Sequence, residues 1–340
     1  MRYPDFLGKN GTIGFVAPSF GCATEPYRST FDNAQKKLSQ MGFNLWLGPN
    51  CYADKGIGIS NTPAACAEEL MDCYVNQDCD CIISCGGGEL MCETIGQIDF
   101  DRIASAKPKW FMGYSDNTHF TFLSNVLCDT VAIYGPNIAP FGMREWHRSL
   151  YDALDVLQGN KMEYSGYDKW ESESLKSADN PLVPYNTTND SVLHIFPEDR
   201  VCMEGRLLGG CMDCLENLRG TKYDRVKDYI DRYADDGIIW FMESCSFDVM
   251  SIRRTLWSMD QSGWFRNCKG FIFGRPLLYN QPMMGLDQYE AVLGVVGKYN
   301  VPVVMDADIG HLPPSIPIVS GALAKITASS DGYTIKYRFD

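Results

Sequence analysis

The sequence is poor in basic residues and in histidine and has no long apolar run, and each shortage excludes a class of protein. Its 340 residues contain 30 Lys and Arg against 43 Asp and Glu, which gives a formal net charge of -13. A surface of that sign repels phosphate backbones and argues against a nucleic-acid partner. No apolar stretch approaches the ~18 residues of a membrane span, and the N-terminus lacks the apolar core of a secretion signal. We therefore expect a soluble, cytoplasmic protein that binds neither nucleic acid nor membranes.

Common motifs for metals and cofactors are missing as well. Cys211 and Cys214 have C-x-x-C spacing, but no second pair among the 14 cysteines has metal-ligand spacing. The three glycines at Gly86, Gly87 and Gly88 match neither a Walker-type phosphate loop nor a dinucleotide fingerprint. Without a secretion signal, the scattered cysteines are expected to be free, buried thiols. The sequence thus predicts no metal and no other cofactor.

The first half of the chain alternates short apolar runs with amphipathic segments. The apolar runs lie at 12–19, 79–89, 109–116 and 130–137, and a helical period runs from Thr24 to Met41. Buried strands separated by helices predict βαβ units and a parallel sheet. Ligands bind at the carboxyl ends of the strands of such sheets. The glycine run and Ser115 would both lie at those ends.

The pattern divides the chain into an N-terminal domain over 1–160, a long connecting or substrate loop over 161–204 and a C-terminal domain over 205–340. Polar residues and prolines interrupt every period in the middle segment, which is typical of a long loop. Periodicity then returns with strands at 237–244, 270–276 and 301–308, a helix at 247–259 and a final hairpin around Asp331. The fold class that this predicts is α/β.

The stretch "WFMGYSDNTHF", residues 110–120, contains the first candidate for chemistry. A buried strand ends there, and a helix begins immediately after Ser115 and Asp116. Either these two residues cap the helix, or the turn presents the Ser115 hydroxyl to a substrate. Asn117, which tolerates a left-handed backbone, would help to form such a turn. A serine nucleophile needs a base within hydrogen-bond reach and a third group that orients the base.

The chain has only four histidines, so a base can be sought by elimination. His147 lies in a polar segment that is typical of a solvated surface, and His194 lies in the long loop, where it could contact a ligand. His119 follows Ser115 by four residues, and we favour a capping or packing role for it. His311 stands in a Gly-His-x-Pro-Pro loop after a buried strand, where a structural and a catalytic role are equally open.

Two further features could complete such a site. Glu243 ends the buried run "IIWFME", where a carboxylate is costly unless it has a partner. A catalytic acid and a surface salt bridge or helix cap both satisfy that requirement. The glycine run would let backbone N–H groups approach a ligand closely, and with the N–H of Asp116 it could form an oxyanion hole.

Several segments, taken in order, resemble the LD-carboxypeptidase family of serine peptidases. They include "GYSDNT", "GGG", "GRLLGGCMDCLENLRGTKY", "GFIFGRP" and "DIGHLPPSIPIVSGALAKI". The resemblance implies a flavodoxin-like N-terminal parallel-sheet domain and a C-terminal α/β domain with mixed or barrel-like strands. It implies a site between these domains and a homodimer.

By the same resemblance, Ser115 matches the nucleophile, Glu243 the acid and His311 the base of a Ser-Glu-His triad. The oxyanion donors would be the backbone N–H groups of Gly87 and Asp116. Gly86 and Gly88, on either side of Gly87, would lie against the substrate.

Two branches of the family fit the sequence. LD-carboxypeptidases remove a terminal D-amino acid from peptidoglycan tetrapeptides, whereas the microcin C immunity (MccF-like) branch cleaves an amide that joins a carboxylate to a nucleotide-like group. Trp170 resembles the loop aromatic that stacks on adenine in the immunity branch, although packing beneath its own loop is equally open. A small peptide and an aminoacyl nucleotide therefore both remain candidate substrates.

Two rival classes remain. A metal-dependent hydrolase could use Asp306, Asp308 and His311, which are oxygen and nitrogen ligands close in sequence. A non-catalytic ligand-binding relative would need a broken triad, but all three triad residues are present.

Overall fold

A computed structural model describes residues 1–339, and it divides the chain into two compact units. Unit 1 consists of Met1–Lys161 and Glu173–Asn186, and unit 2 consists of Met162–Ser172 and Thr187–Asp340. In the part of the chain that the structure describes, no helix is both long enough and apolar enough to cross a membrane.

Unit 1 contains five parallel strands and six helices. The strands are β1 (Thr12–Val16), β2 (Asn44–Leu47), β3 (Cys81–Ser84), β4 (Trp110–Gly113) and β5 (Ala132–Tyr134). The helices are α1 (Tyr27–Gln40), α2 (Pro63–Val75), α3 (Met91–Thr94), α4 (Phe100–Ser105), α5 (Thr118–Val126) and α6 (Arg148–Gln158).

The strands of unit 1 lie in the order β5-β4-β3-β1-β2. That order is the flavodoxin-like arrangement, and the predicted α/β class is confirmed. The central strands consist of apolar residues that are almost wholly buried, as a sheet covered on both faces requires. Helix α2 begins with Pro63 after Thr62, whose side chain accepts a hydrogen bond from the Ala65 backbone N–H at 3.3 Å.

Unit 2 is built around a mixed sheet of eight strands. Its strands and the other strands of the unit are β6 (Glu163–Ser165), β7 (Lys169–Trp170), β8 (Asn189–Asp190), β9 (His194–Phe196), β10 (Arg200–Cys211), β11 (Ile238–Glu243), β12 (Cys268–Gly274), β13 (Val303–Ala307), β14 (Ile318–Ser320), β15 (Leu323–Ser329) and β16 (Gly332–Arg338). The helices are α7 (Met212–Leu218), α8 (Val226–Arg232), α9 (Val249–Gln261) and α10 (Gln288–Val296).

The eight strands lie in the order β6-β16-β15-β10-β11-β12-β13-β9. The four central strands, β10 to β13, are parallel, and antiparallel strands flank them on both sides. All six residues of β11 are buried, which agrees with its position in the middle of the sheet. The hairpin expected around Asp331 is the β15–β16 pair.

The segment 161–204 differs from the single connecting loop that the sequence predicts. It is shared between both units, and it contains β6, β7, β8, β9 and the start of β10. Four of these strands are only two or three residues long, and β6 and β9 pair with the distant strands β16 and β13. Partners so far away in sequence leave no local period to detect.

Candidate active site

In unit 1, Ser115 lies at a strained turn directly after β4. Its φ is +63°, in the left-handed region that residues other than glycine rarely adopt. A short 3₁₀ turn, Ser115–Asn117, then leads into α5. The Ser115 backbone N–H donates to the Tyr134 hydroxyl at 3.3 Å. The left-handed residue is thus Ser115 itself and not Asn117, whose φ is −63°. Strain of this kind is typical of functional sites.

The glycine run that follows β3 lies against this serine. A Cβ atom built on Gly87 would be 3.1 Å from Ser115 Oγ, and one built on Gly88 would overlap the hydroxyl of Ser19. The carbonyl of Gly87 accepts from the Phe20 N–H at 2.7 Å. Only residues without a side chain allow this loop to pass so close to the Ser115 hydroxyl.

Asp116 is buried, and contacts of its side chain and of its carbonyl hold the Ser115 turn in place. One of its carboxylate oxygens accepts from the Ser19 hydroxyl at 2.5 Å and from the Met91 N–H at 2.9 Å. The other lies 3.1 Å from His119 Nδ1. His119 is fully buried, and the same nitrogen is 2.9 Å from the Asp116 carbonyl oxygen. These contacts place His119 in the packing of the helix rather than at the Ser115 hydroxyl.

Two amide side chains connect the serine turn to the glycine loop. Asn117 Nδ2 donates to the Gly86 carbonyl at 2.7 Å and to Asn137 Oδ1 at 3.3 Å. The same Asn137 oxygen accepts from the Tyr114 N–H at 3.3 Å. This connection is not predicted from the sequence. Its only signal was that Asn137 also follows a buried strand.

In unit 2, Glu243 and His311 form a close pair. Glu243 is the last residue of β11, and its Oε2 lies 2.8 Å from His311 Nδ1. The Glu243 side chain is fully buried, and that of His311 is 13% exposed. Gly310, with φ of +101°, precedes the histidine, and a Cβ there would come within 2.5 Å of Glu243 Oε2. Glycine is therefore required for the loop to place the imidazole against this carboxylate.

A buried ion pair supports the loop that leads to His311. Asp308 accepts from Arg275 Nη2 at 2.7 Å and from the Tyr167 N–H at 2.8 Å. Burial raises the pKa of Asp308, and the Arg275 charge opposes that shift. Arg275 directly follows the buried strand β12, so its position at a strand end is the same sequence signal as that of Glu243.

Trp170 lies beside this pair in the short strand β7. It is only 7% exposed, its ring centroid is 5.1 Å from the Arg275 guanidinium and 5.1 Å from the Tyr279 ring, and its Nε1 donates to the Asp190 carbonyl at 3.2 Å. The structure thus places Trp170 in a packed environment of unit 2. A stacking role on a substrate base stays a prediction.

Asp306 and Asp308 have separate partners, which gives no support to a shared metal site with His311. Asp306, with φ of +63°, accepts from the Tyr289 hydroxyl at 2.7 Å and lies 3.2 Å from His194 Nδ1. Burial raises the pKa of this carboxyl. Asp308 is paired with Arg275, and His311 is paired with Glu243. Asp306, Asp308 and His311 are therefore each held by a different group.

Unit 1 thus contains a serine at a strained turn after a parallel strand, and unit 2 contains a histidine paired with a buried glutamate. Two family models match the chain: the LD-carboxypeptidase N-terminal domain over residues 13–135 and the LD-carboxypeptidase C-terminal domain over residues 204–326. The chain therefore belongs to the LD-carboxypeptidase family, as the sequence motifs predicted.

Similar proteins include members of the microcin immunity branch. The chain is 24% identical over 341 residues to the microcin C7 self-immunity protein MccF of Escherichia coli, covering 98% of this chain and 95% of that protein. The structure of MccF in complex with aspartyl sulfamoyl adenosine has a TM-score of 0.81 at 22% identity and covers 99% and 98% of the two chains.

Two further solved structures share the fold. An MccF-like protein from Bacillus anthracis has a TM-score of 0.83 at 22% identity, covering 99% of this chain and all of that one, 100%. An MccF-like protein from Streptococcus pneumoniae in complex with AMP has a TM-score of 0.79 at 22% identity, covering 97% and 99%.

Proposed function

We propose that the protein is a serine amidase or peptidase that uses Ser115 as nucleophile, His311 as base and Glu243 as the acid that orients the base. The observation that carries this proposal is the 2.8 Å contact between His311 Nδ1 and the fully buried Glu243 carboxylate. An ionised carboxylate can only accept hydrogen bonds, so Nδ1 carries the proton, and Nε2 is the nitrogen that would take a proton from Ser115.

The mechanism is acyl transfer to water. The Ser115 hydroxyl attacks the amide carbon while His311 removes its proton, and the backbone N–H groups of Gly87 and Asp116 receive the oxyanion. The protonated imidazole then gives the proton to the leaving amine, and a water molecule hydrolyses the acyl-enzyme. General base catalysis contributes roughly 10²–10⁴-fold, and each oxyanion donor contributes about 3–4 kcal/mol.

The substrate that we propose is an aminoacyl-nucleotide amide. The alignment with MccF extends over 98% of this chain, and the structure of MccF was solved with aspartyl sulfamoyl adenosine. The family name supports a second candidate substrate, a peptidoglycan tetrapeptide that ends in a D-amino acid. Both substrates present an amide at the end of a small peptide-like molecule, so the same triad would serve either.

A side-by-side assay tests the proposal. Purified protein is incubated with an aspartyl sulfamoyl adenosine and with a muropeptide ending in L-Lys-D-Ala, and the released amine is measured for wild type and Ser115→Ala. We expect the wild type to hydrolyse the adenosine compound and the variant to hydrolyse neither. Hydrolysis of the muropeptide alone would move the proposal to the carboxypeptidase branch. Activity that survives in Ser115→Ala would reject the serine mechanism.

From the family resemblance we propose a homodimer, and from the sequence pattern we propose a cytoplasmic protein that needs no metal. Analytical ultracentrifugation of the purified protein tests the dimer. Addition of EDTA tests the mechanism, because a serine triad is indifferent to the chelator whereas a metal-dependent hydrolase loses its activity.

A further inference from the structure

Two thiols of unit 1 are in contact at a place that the proposed reaction does not use. Cys73 lies near the end of α2, and Cys79 lies in the turn before β3. Their Sγ atoms are 3.5 Å apart. We propose that Cys73 and Cys79 form a redox-active dithiol, which a peroxide converts to a reversible disulfide.

Gly14 in the central strand β1 creates the space that the two sulfur atoms share. A Cβ atom built on Gly14 would lie 2.5 Å from Cys73 Sγ and closer still to Cys79 Sγ. Any side chain there would force the thiols apart. A disulfide bond is about 2.05 Å long, so the sulfur atoms must approach each other by about 1.5 Å. The pair is therefore already close to the separation that a bond requires.

The surroundings distinguish the two sulfur atoms chemically. The ammonium group of Lys109 donates to the carbonyls of Cys73, at 2.9 Å, and of Asn76, at 2.5 Å, which brings a positive charge to the segment between the cysteines. The hydrogen bond from the Cys73 thiol lowers the pKa of Cys79, and Lys109 acts in the same direction against the effect of burial. We therefore assign Cys79 as the attacking thiolate and Cys73 as the resolving thiol, and Cys79 must release the contact of its thiol with the Cys81 carbonyl at 3.3 Å before it reacts.

Cys79 also lies closer to solvent along the chain than its partner. It is 2% exposed itself, but its neighbours Gln77, Asp78 and Asp80 are all exposed. The turn is held locally by the Cys79 N–H to the Asn76 carbonyl at 3.3 Å and by the Asp78 N–H to the Asn76 side chain at 3.0 Å. Opening of the turn must also release the Lys109 contact with the Asn76 carbonyl, whereas the Asp80 N–H stays bonded to the Thr12 carbonyl at 2.9 Å and keeps the sheet intact. Such a local opening admits a small oxidant to Cys79.

The reaction balances in two steps. The Cys79 thiolate attacks one oxygen of hydrogen peroxide, which breaks the O–O bond and gives a sulfenic acid and hydroxide. The hydroxide takes up the proton that the thiol had released and becomes water. The Cys73 thiol then attacks the Cys79 sulfur and forms the S–S bond, and the sulfenic oxygen leaves with the Cys73 proton as a second water. Two thiols lose two electrons, and one peroxide gains them.

Mass spectrometry of the wild-type protein tests the proposal. The folded protein is treated briefly with hydrogen peroxide, remaining thiols are blocked with N-ethylmaleimide, and the chain is cleaved before aspartate. Cleavage before Asp72, Asp78 and Asp80 separates the Cys73 peptide from the Cys79 peptide. We expect the two peptides to be linked, with a mass two hydrogen atoms below their sum, and dithiothreitol to separate them. Two results would overturn the proposal. One is a disulfide between Cys79 and another cysteine, and the other is N-ethylmaleimide on both Cys73 and Cys79 after peroxide treatment.

Two variants sharpen this experiment. Cys73→Ser removes the resolving thiol, so the linked peptide is lost and Cys79 accumulates as a sulfenic acid that dimedone labels. Cys66→Ser is the matched control, because Cys66 is a buried thiol of the same helix with Ser60 as its neighbour, and it should leave the linked peptide unchanged. If Cys73→Ser does not fold, the wild-type result still decides the matter. Dimedone labelling of Cys66 in place of Cys79 would contradict the assignment.

Discussion

The two units hold their candidate catalytic groups by different means. In unit 1 the Ser115 turn and the Gly86 carbonyl are held by a network of contacts. The Tyr134 hydroxyl and the amides of Asn117 and Asn137 contact the backbone, and the buried Asp116 carboxylate accepts from the Ser19 hydroxyl and the Met91 N–H. In unit 2 the imidazole of His311 is held by a fully buried carboxylate. A hydrogen bond between neutral groups contributes about 1 kcal/mol, whereas a hydrogen bond to a charged group contributes about 1.5–3 kcal/mol.

This difference assigns separate tasks to the units. The proposed nucleophile needs a position, which the strained turn, the close glycine contacts and the hydrogen bonds of the turn provide. The base needs a tautomer and a stabilised positive charge, which only an anion can provide. We therefore expect activity to respond to the size of side chains near Ser115 and to the charge of side chains near His311.

The largest expected effect comes from removing a reacting group in either unit. Ser115→Ala and His311→Ala should each lower kcat by about 10⁶-fold, and the double variant should be little worse, because triad members act as a unit. Steady-state and single-turnover kinetics measure the effect, with Ser39→Ala on the exposed face of α1 as control. Losses that multiply in the double variant would mean that the two units do not serve one mechanism.

A change of charge alone should come next. Glu243→Gln keeps the shape of the side chain but loses the negative charge and the control of the imidazole tautomer, so kcat should fall by up to about 10⁴-fold. Its melting temperature should change little, because the loss of kcat does not come from unfolding. Glu204→Gln, at an exposed glutamate of the same unit, is the matched control. A Glu243→Gln enzyme with wild-type kcat would show that unit 2 supplies no essential charge.

Much of this arrangement was predictable from the sequence, but only where the signal was local. The strand-turn-helix at Ser115, the glycine run and the buried strand ending at Glu243 all appear as short patterns, and the scarcity of histidine narrowed the search for a base. The pairing of Glu243 with His311, 68 residues apart in sequence, follows from the family resemblance and is a contact in the structure.

Other features depend on partners far away along the chain. The strand β2 was not predicted because its apolar run is only three residues long, Leu45 to Leu47, and its residues are half-buried or exposed. The Asn117–Asn137 contact joins two loops that only the completed sheet brings together. The positive φ of Ser115 is a property of the folded turn, and the amino-acid type alone would have favoured Asn117 for it.

The third prediction tests the role of size in unit 1. Gly87→Ala places a methyl group about 3.0 Å from Ser115 Cβ and 3.1 Å from its Oγ, so either the serine or the loop must move. Displacing one oxyanion donor should lower kcat by about 10²–10³-fold. Gly96→Ala is the matched control, since a Cβ there has nothing within 4 Å. If Gly87→Ala kept full activity, the glycine loop would not line the reacting centre.

The fourth prediction concerns a charge that unit 1 does bury. Glu69 accepts from the Ala17 and Asn50 N–H groups, both at 2.7 Å, and burial raises its pKa to about 7 from 4.5. Between these two values the folded protein keeps a proton that the unfolded chain has released. The free energy of unfolding should therefore fall as pH rises through this window, by about 3 kcal/mol in total at 1.36 kcal/mol per pKa unit.

Glu69→Gln should flatten that dependence in urea-unfolding curves recorded between pH 4.5 and 7. Glu68→Gln, the exposed neighbour on the same helix, should leave it unchanged. A Glu69→Gln protein that loses stability with pH as steeply as the wild type would show that another group titrates. Neither substitution should change activity, because the hydrogen bonds of Glu69 go to Ala17 and Asn50 and not to Ser115 or the glycine run.

The smallest expected effect comes from Trp170→Phe in unit 2. The substitution keeps an aromatic ring beside Arg275 but removes the hydrogen bond from Nε1 to the Asp190 carbonyl, which should cost about 1 kcal/mol of stability. Because the ring is 7% exposed, we expect KM for the adenosine compound and for the muropeptide to be unchanged. Trp257→Phe, at an exposed tryptophan of α9, controls for the loss of an indole. Stacking on a base is worth ~1–3 kcal/mol, so a KM that rises for the adenosine compound alone would show that Trp170 turns toward the substrate during binding.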